Sequence, residues 1–101
     1  MFGKIGDMMG KLQEMKKRAE ETKLRLRAII IKTEGAGGDI VLELNGNREL
    51  KSIRISDALQ HGDKIELEKQ LLLTFNKAMK GADQINEEEM KKAASGLLPG
   101  M

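Results

Sequence analysis

Aromatic side chains are nearly missing from the 101 residues, which contain two Phe and neither Trp nor Tyr. The large buried areas that aromatics usually supply are therefore absent, and a chain of this length hides only about two thirds of its unfolded surface. The core must be modest, and burial shared with a second copy would help it, so a dimer is expected. The same scarcity argues against single-strand platforms and sequence-specific RNA readers, which stack bases on aromatic rings. No cysteine is present, which removes disulfides, thiolate nucleophiles and thiolate ligands and fits a reducing cytosol. Histidine occurs once, as His61 in a QHGD loop, with no Cys or second His to complete a metal site. The start, MFGKIGDMMGK, has no apolar run long enough for a signal peptide or a membrane span. A soluble cytoplasmic protein without a membrane partner is expected.

What is present is unevenly placed charge. The formal net charge is only +2, yet residues 1 to 27 hold eight Lys or Arg against four Asp or Glu, while the remainder holds ten against twelve. Such a balance excludes the strongly basic histone-like class but permits a local footprint for a polyanion.

Within that basic end, Ile5, Met8, Leu12, Met15, Ala19, Thr22 and Leu26 recur at spacings that make a coiled-coil type a/d seam, with Thr22 its one polar member. The pattern predicts a helix over about Asp7 to Leu26. With Ile5 at a, the e positions take Met9, Lys16 and Lys23, and the g positions take Lys11, Arg18 and Arg25. Asp7, Glu14, Glu20 and Glu21 fall on the outer face instead. Paired with itself in parallel, such a helix would set like charges together, so the seam is expected to pack as core or against another surface.

From Ala28 the period changes. AIIIKT is a continuous β-branched run that reads as a strand covered on both faces, and GAGG ends it in a turn. DIVLELN and RELKSIRIS read as two further strands joined at Asn45-Gly46-Asn47 by a two-residue turn. That turn places Ile53 and Ile55 on the face of Ile40, Leu42 and Leu44. SDALQHG is a connection, and Asp63 with Glu66 reads as a capping pair for a second helix. Its stripe is Leu67, Leu71, Phe75, Ala78, Ala82 and Ile85, widened by Leu72 and Met79. Gly81 and Asn86 are expected to interrupt this helix, with Asn86 capping a last segment EEEMKKAAS. The fold class is α+β: helix, three-stranded antiparallel sheet, helix. The expected organisation is one domain, with a basic helix over 1–27, the sheet over 28–56, a helical region over 63–95 and a mobile tail over 96–101.

Catalytic material is thin. GAGG has no following GK[ST] or helix and is no phosphate loop, the acids are scattered, and Glu87-Glu88-Glu89 suits a helix's first turn better than acid/base chemistry. No enzyme, cofactor, metal or small-molecule substrate is expected. The basic helix remains, and its lysines could serve solubility alone, dock on an acidic protein, or grip a polyanion. Sorting of basic residues to both flanks of one seam exceeds what solubility requires. If the polyanion is nucleic acid, duplex DNA held by its phosphates fits best. Without a Cys/His finger or a helix-turn-helix, sequence preference should be weak.

Taken along its length, the chain resembles the YbaB/EbfC family of small bacterial nucleoid-associated proteins. The carrying features are the MFGK start, the first helix with Met15 and Leu26 on its seam, and the strand from Gly38 into Asn45-Gly46. Ile53 and Ile55, then Phe75-Asn76-x-Ala78 and a Pro-Gly tail, complete the match. Thr33 and Ala36 stand where glycines are common, and Ser56-Asp57 replaces an acid-proline pair. The resemblance implies a tweezer-like homodimer with paired sheets at its centre and projecting helices, binding duplex DNA in the nucleoid with low sequence preference. The binding role it implies falls on Lys11, Lys16, Lys17, Arg18, Lys23, Arg25 and Arg27. The rival reading is an interaction adaptor in DNA repair or replication whose basic helix meets an acidic partner.

Overall fold

A computed structural model describes residues 2–97, with side chains described for 6–95. The order is α1 (Phe2–Ala28), β1 (Ile30–Gly35), a 3-10 turn (Ala36–Gly38), β2 (Ile40–Asn45), β3 (Leu50–Ile55), α2 (Asp57–Gln60) and α3 (Lys64–Leu97). The antiparallel sheet has the order β1-β2-β3, as the α+β reading expected.

The core is small and built around β2. Ile40, Leu42 and Leu44 alternate onto one face and are wholly buried with Ala78 and Ala82 of α3. Small residues on α3 let the helix lie close to the sheet: Thr74 sits directly over Gly35, where any Cβ would collide with its side chain. Thr74 Oγ1 turns back to donate to the Gln70 carbonyl at 2.7 Å, which satisfies a hydroxyl that is almost fully buried.

α3 does not lie centrally on the sheet. Lys77 Nζ donates to the Glu34 carbonyl of β1 at 3.4 Å, and Gly81 faces Ile31, so one flank of α3 leans to the β1 side. At about 100° per residue, Leu72, Phe75 and Met79 share the opposite flank, toward β3. There Leu72 and Phe75 are exposed, and on β3 Leu50 and Ile53 are exposed too. Ile53 pairs with the buried Leu42 and belongs to the inner face, yet it remains 50 % accessible.

Several expectations change. α1 starts at Phe2, not near Asp7. α3 runs unbroken through Gly81 and Asn86, because packing on the sheet outweighs the propensity cost of about 1 kcal/mol for one glycine. Asn86 caps nothing; its Nδ2 donates to the Gly46 carbonyl at 3.1 Å. At the other end Asp63 Oδ1 accepts from Ile65 N, but Glu66 pairs with Gln70 and does not close a capping box. The expected tail begins late, since helix continues to Leu97; residues 98–101 lie outside the described residues. β1 is an edge strand covered on one face, leaving Ile30 53 % accessible, because one helix layer cannot cover both sides. Phe75, 36 % exposed, borders the core and does not fill it. The connection SDALQHG contains the short α2, with Ser56 Oγ accepting from Leu59 N.

The hairpin also differs from a two-residue turn. Asn45 N donates to the Glu49 carbonyl at 2.9 Å, so Gly46, Asn47 and Arg48 form the loop, and Arg48 takes a left-handed φ of 66°, as three-residue loops require. A bulge between Glu43 and Leu44 restores the pairing phase, so Ile53 and Ile55 still share the face of Leu42 and Ile40. Ala36, in place of a common glycine, adopts a φ of 52°.

The molecule is long, with extents of 71 × 22 × 18 Å and a radius of gyration of 19.9 Å, against about 13 Å for a compact chain of this length. It exposes 7723 Å², where a compact monomer of its mass would expose about 5,700 Å².

Candidate nucleic-acid interface

The basic residues depend on how α1 is anchored. The 45–49 hairpin is the joint: Gly46 N donates to the Leu26 carbonyl at 2.8 Å and to the Ile29 carbonyl at 3.1 Å, and Asn47 Nδ2 donates to the Lys23 carbonyl at 2.9 Å. Leu26 is among the last four residues of α1, whose carbonyls lack an i+4 amide partner within the helix, and the hairpin amide of Gly46 supplies it with a donor. On its other side the hairpin holds α3, through Asn86 and through Arg48, whose Nη1 donates to Asp83 Oδ1 at 3.1 Å. Asn45 organises the loop itself, with Oδ1 accepting from Asn47 N and Glu49 N and Nδ2 donating to Glu49 Oε1. That amide, and then the charges of Lys51, Arg27 and Lys23, hold the Glu49 carboxyl below its ordinary range against an opposing desolvation.

From this joint α1 and α3 run antiparallel. Thr22 and Leu26 are buried, Ala19 and Leu26 lie beside Asn86 and Met90, and Arg25 Nη2 reaches Glu89 Oε2 at 3.7 Å. Beyond Glu89, α3 continues only to Leu97, about 12 Å at 1.5 Å per residue, whereas α1 extends back from Arg25 for about 35 Å. The N-terminal half of α1 therefore projects alone. Met8, Leu12 and Met15 are 64, 62 and 48 % exposed, so the expectation of a wholly packed seam holds only at its C-terminal third.

The basic residues divide accordingly. Lys11, Lys16, Lys17, Lys23, Arg25 and Arg27 are exposed, and Arg18 is partly so. The arginines are engaged within the chain: Arg18 with Glu14 at 3.1 Å, Arg25 with Glu89, and Arg27 with Glu49 at 3.9 Å. Among the described residues, Lys11, Lys16, Lys17 and Lys23 enter none of the ion pairs. The Arg18–Glu14 and Arg27–Glu49 pairs are exposed, and such pairs are worth about 0–1 kcal/mol, so these two arginines can exchange partners at little cost, whereas Glu89 opposite Arg25 is only 19 % exposed. Arg18, Thr22 and Arg25 also border a cleft of about 320 Å³ with Lys92 of α3. Lys92 escaped the sequence reading because its place beside α1 follows from the antiparallel pairing and no local pattern marks it. Among the described residues no three His, Cys, Asp or Glu are grouped to hold a metal, and no helix is long and apolar enough to cross a membrane.

Fold and surface together define a class: a small α+β protein with a long helical arm whose uncommitted basic residues, among those described, are lysines. The chain belongs to the YbaB/EbfC DNA-binding family, whose family model matches residues 1–97. It is 38 % identical over 94 residues to a nucleoid-associated protein of Flavobacterium johnsoniae, covering 93 % of this chain and 88 % of the relative. A nucleoid-associated protein of Chloroflexus aurantiacus is 34 % identical over 91 residues, covering 89 % of this chain and 91 % of that one. The crystal structure of an uncharacterized protein from Helicobacter pylori is similar at a TM-score of 0.74 and 26 % identity, covering 96 % of each chain.

Proposed function

We propose that this chain is a non-enzymatic, homodimeric nucleoid-associated protein that grips duplex DNA through its phosphates with low sequence preference. Membership of a DNA-binding family supplies the ligand class. The observation that carries the phosphate contact is the arm itself: Lys11, Lys16, Lys17 and Lys23 are exposed and outside the ion pairs, on a helix that projects from the sheet. Point-charge ammonium groups without an aromatic platform suit sequence-independent backbone contact. Nucleoid localisation follows from this reading and from the names of the relatives.

The homodimer rests on the valley between α3 and β3. Leu50, Ile53, Leu72 and Phe75 are large, apolar and exposed there, on a face continuous with the core, and soluble monomers seldom leave so much apolar surface together. A second copy presenting the same valley would cover it with two-fold symmetry and direct two arms outward.

A gel-shift titration of random-sequence duplex tests the reading, comparing wild type with the quadruple charge reversal Lys11→Glu, Lys16→Glu, Lys17→Glu, Lys23→Glu. Loss of binding with an unchanged circular-dichroism spectrum is expected; retained affinity in the variant would sink the site assignment.

A further inference from the structure

The apolar edge of the projecting half of α1 has no role in phosphate binding and stays exposed among the described residues. Further along the same seam a partner is present. Ala19, Thr22 and Leu26 are met by α3, whose Asn86, Met90 and Ala93 stand beside them at the four- and three-residue spacing of a helix seam. One charge pair matches as well: the g-position Arg25 faces Glu89, while Lys92 stands near Arg18 and Arg25. One and two heptads earlier on α1, the g position is held by Arg18 and Lys11, and Lys16 takes the other flank. Between them lie Met8, Leu12 and Met15: α3 ends at the level of Met15, which is 48 % exposed, and stops short of Leu12 and Met8.

We infer that this segment is a docking surface for an acidic amphipathic helix of a partner protein, with apolar residues at heptad spacing flanked by Glu or Asp. On the adjoining turns the chain already sets a helix against this seam, with Met90 beside Leu26 and Glu89 opposite Arg25, and that pairing gives the pattern an outside helix would extend. Charge complementarity selects the partner: an identical α1 in parallel would bring basic flanks together, whereas a Glu-flanked helix would neutralise Lys11, Lys16 and Arg18. Two of the three exposed anchors are methionines, whose unbranched side chains adapt to different apolar surfaces. This is the helix-on-helix mode of peptide recognition, read as anchors three and four residues apart.

The inference stands apart from the DNA reading, and the two fail separately. The probe is a labelled synthetic peptide of three heptads with Leu at a and d and Glu at e and g, too acidic to pair with itself, titrated by fluorescence anisotropy with the full-length chain. Saturable binding is expected, weakened at least about tenfold by Leu12→Ser with Met15→Ser, as two truncated apolar anchors imply. It should also weaken when Gln replaces Glu in the peptide. Duplex affinity, measured on the same double variant, should be unchanged, because neither residue contacts phosphate. No binding of the peptide, or binding indifferent to the double variant, overturns the inference. So does a fall in the chain's own oligomeric mass in that variant, which would make a second copy the occupant. Binding of wild type to phosphatidylglycerol vesicles in place of the peptide would assign the seam to a lipid surface and overturn it equally. Failure of wild type to bind duplex would refute the DNA reading and leave the peptide result standing.

Discussion

Gly46→Ala should damage the protein far more than its position in a hairpin loop suggests. A Cβ at Gly46 would lie 2.8 Å from the Leu26 carbonyl oxygen and 3.1 Å from Leu26 Cα. Both are backbone atoms of α1 and cannot swing aside as a side-chain end could. Relief requires the hairpin to retreat from α1, which lengthens the bonds from Gly46 N to the Leu26 and Ile29 carbonyls and pulls the Gly46 carbonyl from Asn86. Overpacking of this kind costs about 1–3 kcal/mol, and a buried amide left without its acceptor about 1–3 kcal/mol more, for a total of roughly 2–6 kcal/mol. At about 4–8 °C per kcal/mol for a domain of this size, the midpoint should fall by at least about 8 °C. The assay is thermal melting by circular dichroism at one matched protein concentration, since association shifts the midpoint. A variant within about 0.5 kcal/mol of wild type, the usual range for neutral surface changes, would refute the claim that this loop is the joint between α1 and α3.

Three other outcomes follow from the same geometry. Gly10→Ala, with nothing within 4 Å of the added Cβ, should stabilise the arm by about 0.5–1 kcal/mol; because the arm opens locally, hydrogen exchange of its amides should slow while the global midpoint barely moves. Ile53→Asp with Phe75→Glu should yield a monomer in light scattering, since both residues sit in the uncovered valley; an undiminished mass would place the dimer contact elsewhere. Glu49 has a lowered pKa, so it binds fewer protons folded than unfolded, and its stabilisation is present above about pH 4.3 and lost as the pH falls through the lower folded value. Glu49→Gln should therefore melt below wild type at pH 7, with the gap closing as the pH falls through the lowered folded value, and a gap that does not narrow in acid would contradict the assigned interaction.

Much of the fold was legible because short-range periodicity carries it. The 3-4 spacing of Leu12, Met15, Ala19, Thr22 and Leu26 announced α1, alternation in DIVLELN announced β2, and the stripe of Leu71, Ala78 and Ala82 announced α3. Even the mistaken turn kept the right faces, because three-residue loop and bulge together preserve the phase that the expected two-residue turn would have set. Less legible was everything that depends on two distant elements meeting. Nothing local to Arg25 says that Glu89 will stand beside it, and nothing local to Leu12 says that α3 will stop short of it. The basic flanks looked uniform in sequence; the structure separates them into engaged arginines and uncommitted lysines. Gly81 and Asn86 looked like breaks because propensity weighs them singly, whereas α3 is held by a sheet beneath it.

The central claim is phosphate-mediated binding of duplex DNA by the α1 arms, and the salt dependence of duplex affinity tests it most directly. With about six phosphate contacts per dimer, log K against log salt should fall linearly with a slope near −5, at about −0.9 per contact. Reversal of Lys11, Lys16, Lys17 and Lys23 should remove most of both the affinity and the slope. A duplex affinity that ignores salt, or a slope that survives the four reversals, would contradict the account.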